Sequence, residues 1–224
     1  MTSIERRIDT PHGEARLVVD QARRPVATVL LSHGAGNGVD TADLEALAHH
    51  LPRNGVTVVR LEQPWKVAGR RVATAPPTLD DALVAAANKL RTRTPLVVGG
   101  RSAGARSAAR CARRLGASGC LALSFPLHPP GRPEKSRLEE LERAGVPTLV
   151  IQGERDTMGR PEEFPDGLDL CVVPGADHGL KVPARGAVSQ ADALEIVVEG
   201  ALEWIVREIT GGGRGNDRGN GGRA

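Results

Sequence analysis

Leu96-Val97-Val98-Gly99-Gly100-Arg101-Ser102-Ala103-Gly104-Ala105-Arg106-Ser107-Ala108-Ala109-Arg110 changes character in mid-course. The first half is an aliphatic run of strand length, the second a small-residue stretch with helical spacing, and Ser102 stands at the junction. A strand that turns straight into a helix at G-x-S-x-G holds its serine on a sharp, strained turn. Gly100 and Gly104 leave room for the strand and helix backbones to approach. The turn lifts the hydroxyl above a sheet and aims the helix N-terminus, with the Ala103 amide, at a reacting carbonyl. The bland alternative is a glycine-containing turn with an incidental serine, and the order of elements around it argues against that.

Working outward, strand-length aliphatic runs recur at Val26 to Leu31, Val56 to Leu61, Pro95 to Val98, Cys120 to Ser124, Pro147 to Ile151 and Leu170 to Val173. Between them lie stretches of helical spacing: Thr41 to Leu51, Leu79 to Leu90, Ala103 to Leu115, Lys135 to Ala144 and Ala191 to Ile209. Strands alternating with helices predict right-handed crossovers and a doubly wound, mostly parallel α/β sheet with helices on both faces. The start, Ile4 to Asp20, reads as one or two short strands around a turn at Pro11 to Gly13, an antiparallel edge. Residues 1–210 are expected to form one domain. From Gly211 to Ala224 Gly and Arg replace apolar periodicity, which predicts a disordered tail.

Composition sets the class. The chain has 224 residues, 40% hydrophobic and 25% charged, which suits one soluble domain with a sizeable core. With aromatics at 2% and no Tyr, that core must rest on Val, Leu, Ile and Ala. The net charge is +3, but Arg214, Arg218 and Arg223 against Asp217 place much of it in the tail, so nucleic acid is not expected as a partner. Cys111, Cys120 and Cys171 are widely spaced and odd in number, which points to buried thiols in a reducing compartment and away from a zinc site. No stretch has signal-peptide character or bilayer-spanning length, so the expected location is the cytoplasm, with no membrane partner.

A nucleophilic serine needs a base and an orienting acid, and on this type of sheet both follow it in the chain. Of six histidines, His12, His33, His49 and His50 precede Ser102. His178, in Gly175-Ala176-Asp177-His178-Gly179, follows the last apolar run and is the candidate base. Asp156, in Val150-Ile151-Gln152-Gly153-Glu154-Arg155-Asp156, is the candidate acid, with Glu154 and Asp177 as alternatives. Upstream, Ser32-His33-Gly34-Ala35-Gly36-Asn37-Gly38 follows a strand, where such a loop gives a second oxyanion amide. That role falls to Ala35, beside Ala103, and makes His33 a structural residue of the site. The same loop, with Glu62 closing the next strand, also suggests a dinucleotide site, but its spacing is GxGxG and not GxGxxG. Trp65, Phe125, Leu127 and His128 are the expected pocket above the sheet, with His33 at its edge. Arg70, Arg71 and Arg101 would favour an acidic substrate or form a solvated rim.

Taken together, SHGAGNG, LEQPWKVAGRR, GRSAG, SFPLHPPGRPEK, VIQGERDTMG and GADHGLK resemble an α/β-hydrolase family. It includes bacterial dienelactone-hydrolase-related proteins, a testis-expressed mammalian protein and a subunit of the nonspecific-lethal histone acetyltransferase complex. The likeness runs from about Val26 to Trp204. It implies a minimal hydrolase fold without a large cap and a triad of Ser102, Asp156 and His178. Two departures touch the pocket: Ala103 stands where relatives often have methionine, and Gly179 follows His178. The expected activity is serine-dependent hydrolysis of a small ester or thioester, without metal or organic cofactor. A non-catalytic interaction module is the alternative of another class.

Overall fold

A computed structural model of the chain describes residues 3–71 and 73–211. Its sheet follows directly from period-two burial. In β3 (Ala27–Ser32) every residue is buried, with Val29 and Leu31 facing one layer and Leu30 the other. The alternation repeats in β5 (Leu96–Arg101), β6 (Gly119–Leu123) and β7 (Thr148–Gly153), where Val97, Leu121, Leu123, Leu149 and Ile151 oppose Val98, Cys120, Ala122 and Val150. Strands buried on both faces need helices on both faces.

Those four strands join β1 (Ile4–Thr10), β2 (Gly13–Asp20), β4 (Val56–Glu62) and β8 (Asp169–Val173) in an eight-stranded sheet ordered β1-β2-β4-β3-β5-β6-β7-β8. The β1/β2 and β2/β4 pairs are antiparallel, and all other pairs are parallel. On one face lie α1 (Ala42–His50) and α6 (Gln190–Trp204), which bury Leu44, Leu47, Val197, Ala201 and Trp204. The other carries α3 (Pro76–Leu90), α4 (Ala103–Cys111) and α5 (Leu138–Glu142), where Ala86, Ala105 and Ala108 allow close packing without aromatics. This is a doubly wound α/β sheet, and the described residues include no separate cap.

Three predicted helices end differently. The stretch from Ala103 stops at Cys111 and not Leu115, and Lys135 to Ala144 contracts to Leu138–Glu142. Only Leu141 of that short helix is buried, so little apolar surface rewards a longer one. The last helix begins at a capping box, Ser189 with Asp192, and its final turn at Ile205–Ile209 widens into a π-helix. A short helix, α2 (Pro64–Val67), was not predicted; a single turn is below what periodicity can resolve. Cys120 is a buried small hydrophobe whose thiol is pushed up to about 12 by desolvation. Among the described residues no helix is long and apolar enough to cross a membrane. The predicted tail lies outside the described residues except for Gly211.

The β5–α4 junction is the tightest backbone crossing around the site. A Cβ on Gly100 would lie 2.4 Å from the Ser32 carbonyl oxygen, and one on Gly104 would lie 2.2 Å from the same atom. Gly104→Ala is therefore expected to destabilise the fold by about 3 kcal/mol, the upper part of the usual overpacking range. Gly36→Ala, where a Cβ meets nothing within 4 Å, should be nearly neutral. Urea denaturation of both variants checks the contrast, and equal effects would mean that the β5–α4 crossing is slack.

Candidate active site

Ser102 sits at the N-cap of α4 with φ 53° and ψ −113°, a conformation L-residues rarely adopt. Strain of this kind stores of order 1–3 kcal/mol and persists only where the surroundings enforce it. Here the Ser102 amide donates to the Leu123 carbonyl at 2.9 Å, and the glycines on either side admit the Ser32 backbone. The serine side chain is left partly exposed at the carboxyl end of the central strands.

The structure brings Ser102, His178 and Asp156 together from three separate loops. His178 Nε2 lies 2.9 Å from Ser102 Oγ, and His178 Nδ1 lies 2.7 Å from Asp156 Oδ2. With a carboxylate at Nδ1, the neutral ring carries its proton there and Nε2 is free to accept the serine proton. Asp156 is wholly buried. Its Oδ1 accepts the Met158 amide at 2.8 Å, and its Oδ2 also accepts Gln152 Nε2 at 2.9 Å. The two alternative acids have other work. Glu154 accepts the Gly175 amide at 2.6 Å, and Asp177 caps its own turn through the Gly179 and Lys181 amides at 2.7 and 3.0 Å.

Gln152 is a residue that sequence reasoning missed. Fully buried, it receives the Phe125 amide at 2.9 Å and donates to Asp156 and to the Gly159 carbonyl at 2.7 Å. It ties the acid to the loop after β6. A glutamine inside the aliphatic run Leu149-Val150-Ile151-Gln152 was the available signal, since a buried amide must find partners.

On the other side of Ser102, Gly34 packs against the elbow: a Cβ there would lie 3.4 Å from both Ser102 Cβ and the Arg101 carbonyl. His33 is buried, and its Nδ1 donates to the Gly34 carbonyl at 2.8 Å while Nε2 accepts the Gln63 amide at 3.1 Å. One donor and one acceptor role define a neutral ring, and burial lowers its pKa accordingly. His33 is thus built into the loop. Ala35 follows on the exposed tip of this turn, and Ala103 occupies the first helical position of α4, where an amide has no intrahelical acceptor. The dinucleotide reading fails on two counts. The glycine of this loop serves its approach to the elbow, and Glu62 is bound to Arg16 Nε at 2.8 Å.

The expected pocket needs correction. Phe125 and Leu127 are buried in the core among residues of α4 and β6, and so do not form an open wall. Trp65 is also buried and stacks edge-on against His33 with ring centroids 5.4 Å apart. It lines a cavity of about 270 Å3 with Arg70, Thr74 and Thr78, whose walls include none of Ser102, Asp156 and His178. Arg70 and Arg71 are exposed, whereas Arg101 is buried and forms no rim. Short apolar motifs do not reveal which side of a loop turns inward.

His128 is a buried clamp. Its Nδ1 lies 2.9 Å from the Pro129 carbonyl and its Nε2 2.8 Å from Glu163 Oε2. Both neighbours are acceptors, so the protonated ring satisfies both. The Pro129 carbonyl, and then Glu163, raise its pKa against opposing effects of burial and Arg137. Glu163 is lowered, first by the Arg160 amide and then by His128.

A family model described as "Alpha/beta hydrolase domain" matches residues 25–206. The chain belongs to the alpha/beta hydrolase domain family. Solved structures agree on the fold. A lidless α/β serine hydrolase from Xanthomonas campestris, XC6422, is 20% identical with a TM-score of 0.68, covering 91% of this chain and 95% of that one. The dienelactone hydrolase from Anabaena variabilis is 18% identical with a TM-score of 0.72, covering 93% and 98%. Est1E from Butyrivibrio proteoclasticus is 15% identical with a TM-score of 0.68, covering 90% and 99%.

Two outcomes follow from this geometry. Asp156→Asn should lower turnover by about four orders of magnitude through the wrong imidazole tautomer, whereas Asp177→Asn should mainly lower stability, by roughly 1 kcal/mol. Hydrolytic turnover and thermal melts of both variants decide; near-normal turnover in Asp156→Asn would remove it from the site. The second outcome concerns pH. His128 has a folded pKa above its ordinary 6.5, so its contribution to stability is complete below that value and fades as pH rises through the raised one. Wild type should therefore lose more melting temperature than His128→Gln between pH 6 and pH 8. His33 is shifted the opposite way, but it is present in both proteins and cancels in the comparison. Parallel melting curves would show that His128 is not charged in the fold.

Proposed function

We infer that this hydrolase cleaves a small ester or thioester through an acyl-enzyme on Ser102. The observation that carries the reading is the unbroken chain Asp156 Oδ2, His178 Nδ1, His178 Nε2, Ser102 Oγ, with contacts of 2.7 and 2.9 Å. Contacts of this length couple proton transfer to nucleophilic attack. His178 takes the serine proton as Oγ adds to the carbonyl carbon, and the imidazolium is stabilised by Asp156. The oxyanion of the tetrahedral intermediate is held by the Ala103 and Ala35 amides. His178 then protonates the leaving alcohol or thiol as its bond to carbon breaks. In the second half, His178 deprotonates water, which adds to the acyl carbon, and Ser102 departs with the proton returned to it. A triad alone suffices for each transfer, so no metal or organic cofactor enters.

A small substrate suits a site with no cap domain above it. The interaction-module reading lacks a comparable support: a scaffold has no need of a serine held at φ 53° beside a hydrogen-bonded His–Asp pair. The three free cysteines favour a reducing, cytoplasmic setting.

The reading is tested with a fluorophosphonate probe. Wild type should be labelled stoichiometrically, and Ser102→Ala should lose labelling while keeping its melting temperature. Labelling that persists in Ser102→Ala, or a folded wild type that never reacts, would count for the interaction module.

A further inference from the structure

Arg101 lies between Gly100 and Ser102 in the chain, but its side chain turns down into the protein. Its side chain is 8% exposed and faces that of Asp43, itself 3% exposed, in an ion pair with Nε 3.1 Å from Asp43 Oδ2 whose angle does not make a hydrogen bond. Asp43 stands in the first turn of α1, the helix that the oxyanion loop leads into. A second edge of the same guanidinium reaches the base: Nη2 donates to the His178 carbonyl at 3.0 Å. The third nitrogen lies under the oxyanion loop, 3.6 Å from where a Gly34 Cβ would be. One rigid, planar cation thus touches the nucleophile's strand, the base loop and the entry to α1.

We propose that Arg101 is a positioning residue: its fork holds the His178 loop and the oxyanion loop in register with Ser102, and Asp43 is the counter-ion that lets it be buried. The proposal rests on the serine-hydrolase reading for its catalytic consequence, but the holding of the loop is structural and can be read separately. A planar fork is required because the two partners lie in different directions, one an anion and the other a neutral carbonyl. Lysine offers one point of charge and can serve only one of them. The base loop contains Leu180 at φ 53° and is tied down at its two ends: Glu154 accepts the Gly175 amide at 2.6 Å and the Arg155 amide donates to the Ala176 carbonyl at 2.8 Å, while Gln190 donates to the Leu180 carbonyl at 3.0 Å and accepts the Val182 amide at 3.2 Å. Between those ends, the Arg101 fork is what bonds the backbone of His178 itself. Gly179 lies close to the fork: a Cβ there would be 3.7 Å from Arg101 Nη2, in ordinary van der Waals contact.

Three proteins test the idea: Arg101→Lys, Arg101→Met combined with Asp43→Asn, and wild type. The double variant removes both charges together, which avoids stranding one buried ion. Two readouts are taken on folded protein, namely hydrogen–deuterium exchange across residues 175–182 and kcat and KM for p-nitrophenyl acetate. Both variants should exchange faster in that segment and lose about a hundredfold in kcat, the scale of a misplaced catalytic group, with KM little changed. Arg101→Lys with wild-type exchange and kcat would overturn the requirement for a fork. A double variant with wild-type kcat would overturn the positioning role, whatever its exchange. If wild type has no esterase activity, the hydrolase reading fails by itself; exchange alone then decides, and unchanged exchange in the double variant overturns the tether as well.

Discussion

The site depends on one backbone contact, the approach of the Ser32 carbonyl at the end of β3 to Gly100 and Gly104 on either side of the elbow. No side chain fits there, so glycine at both positions is a steric requirement. The contact brings α4 back against the sheet within one turn of the end of β5. Because the turn is that tight, Ser102 is forced to positive φ, and its hydroxyl is raised toward the loops that end β7 and β8. The loop proposed to carry an oxyanion amide begins at the same point, since Ser32 is directly followed by His33 and Gly34. Ser102 and that loop are thus fixed by a single crossing.

Around that crossing the charges are divided by environment. His33 is buried between a carbonyl and an amide and its pKa is lowered, whereas His128 lies between two acceptors and its pKa is raised. His178 has a carboxylate on one nitrogen and a hydroxyl on the other. Burial comes first in lowering the pKa of His33, and the Pro129 carbonyl comes first in raising that of His128. Asp156 is positioned in the same way, by Gln152, the Met158 amide and the imidazole.

Much of this could be read from the sequence because local chemistry and global order agree. Apolar runs of strand length recover β3, β4, β6, β7 and β8 within a residue or two, while β5 continues three residues past its apolar run, through Gly99 and Gly100 to Arg101. The elbow is legible because its glycines are demanded by backbone geometry. Chain order on such a sheet narrows the acid to Glu154, Asp156 or Asp177, and the fold pairs Asp156 with His178. The pocket was less legible: Phe125 and Leu127 are apolar residues in a loop near the site, and sequence carries no sign of which way a loop side chain faces. Arg101 was read as a rim cation because arginines in turns usually are, and its partner Asp43 is 58 positions away. Gln152 falls one residue past the predicted run Pro147 to Ile151, and its partner Phe125 is 27 positions away. Such contacts become visible only when distant segments are folded together.

The most direct measurement is rapid-quench mass spectrometry of the protein mixed with p-nitrophenyl pivalate, whose bulky acyl group slows the second half-reaction. The account predicts a burst of nitrophenol matching the protein concentration and a mass increase of one pivaloyl group, located by digestion on Ser102. Turnover without a covalent adduct, or an adduct on another residue, would contradict it.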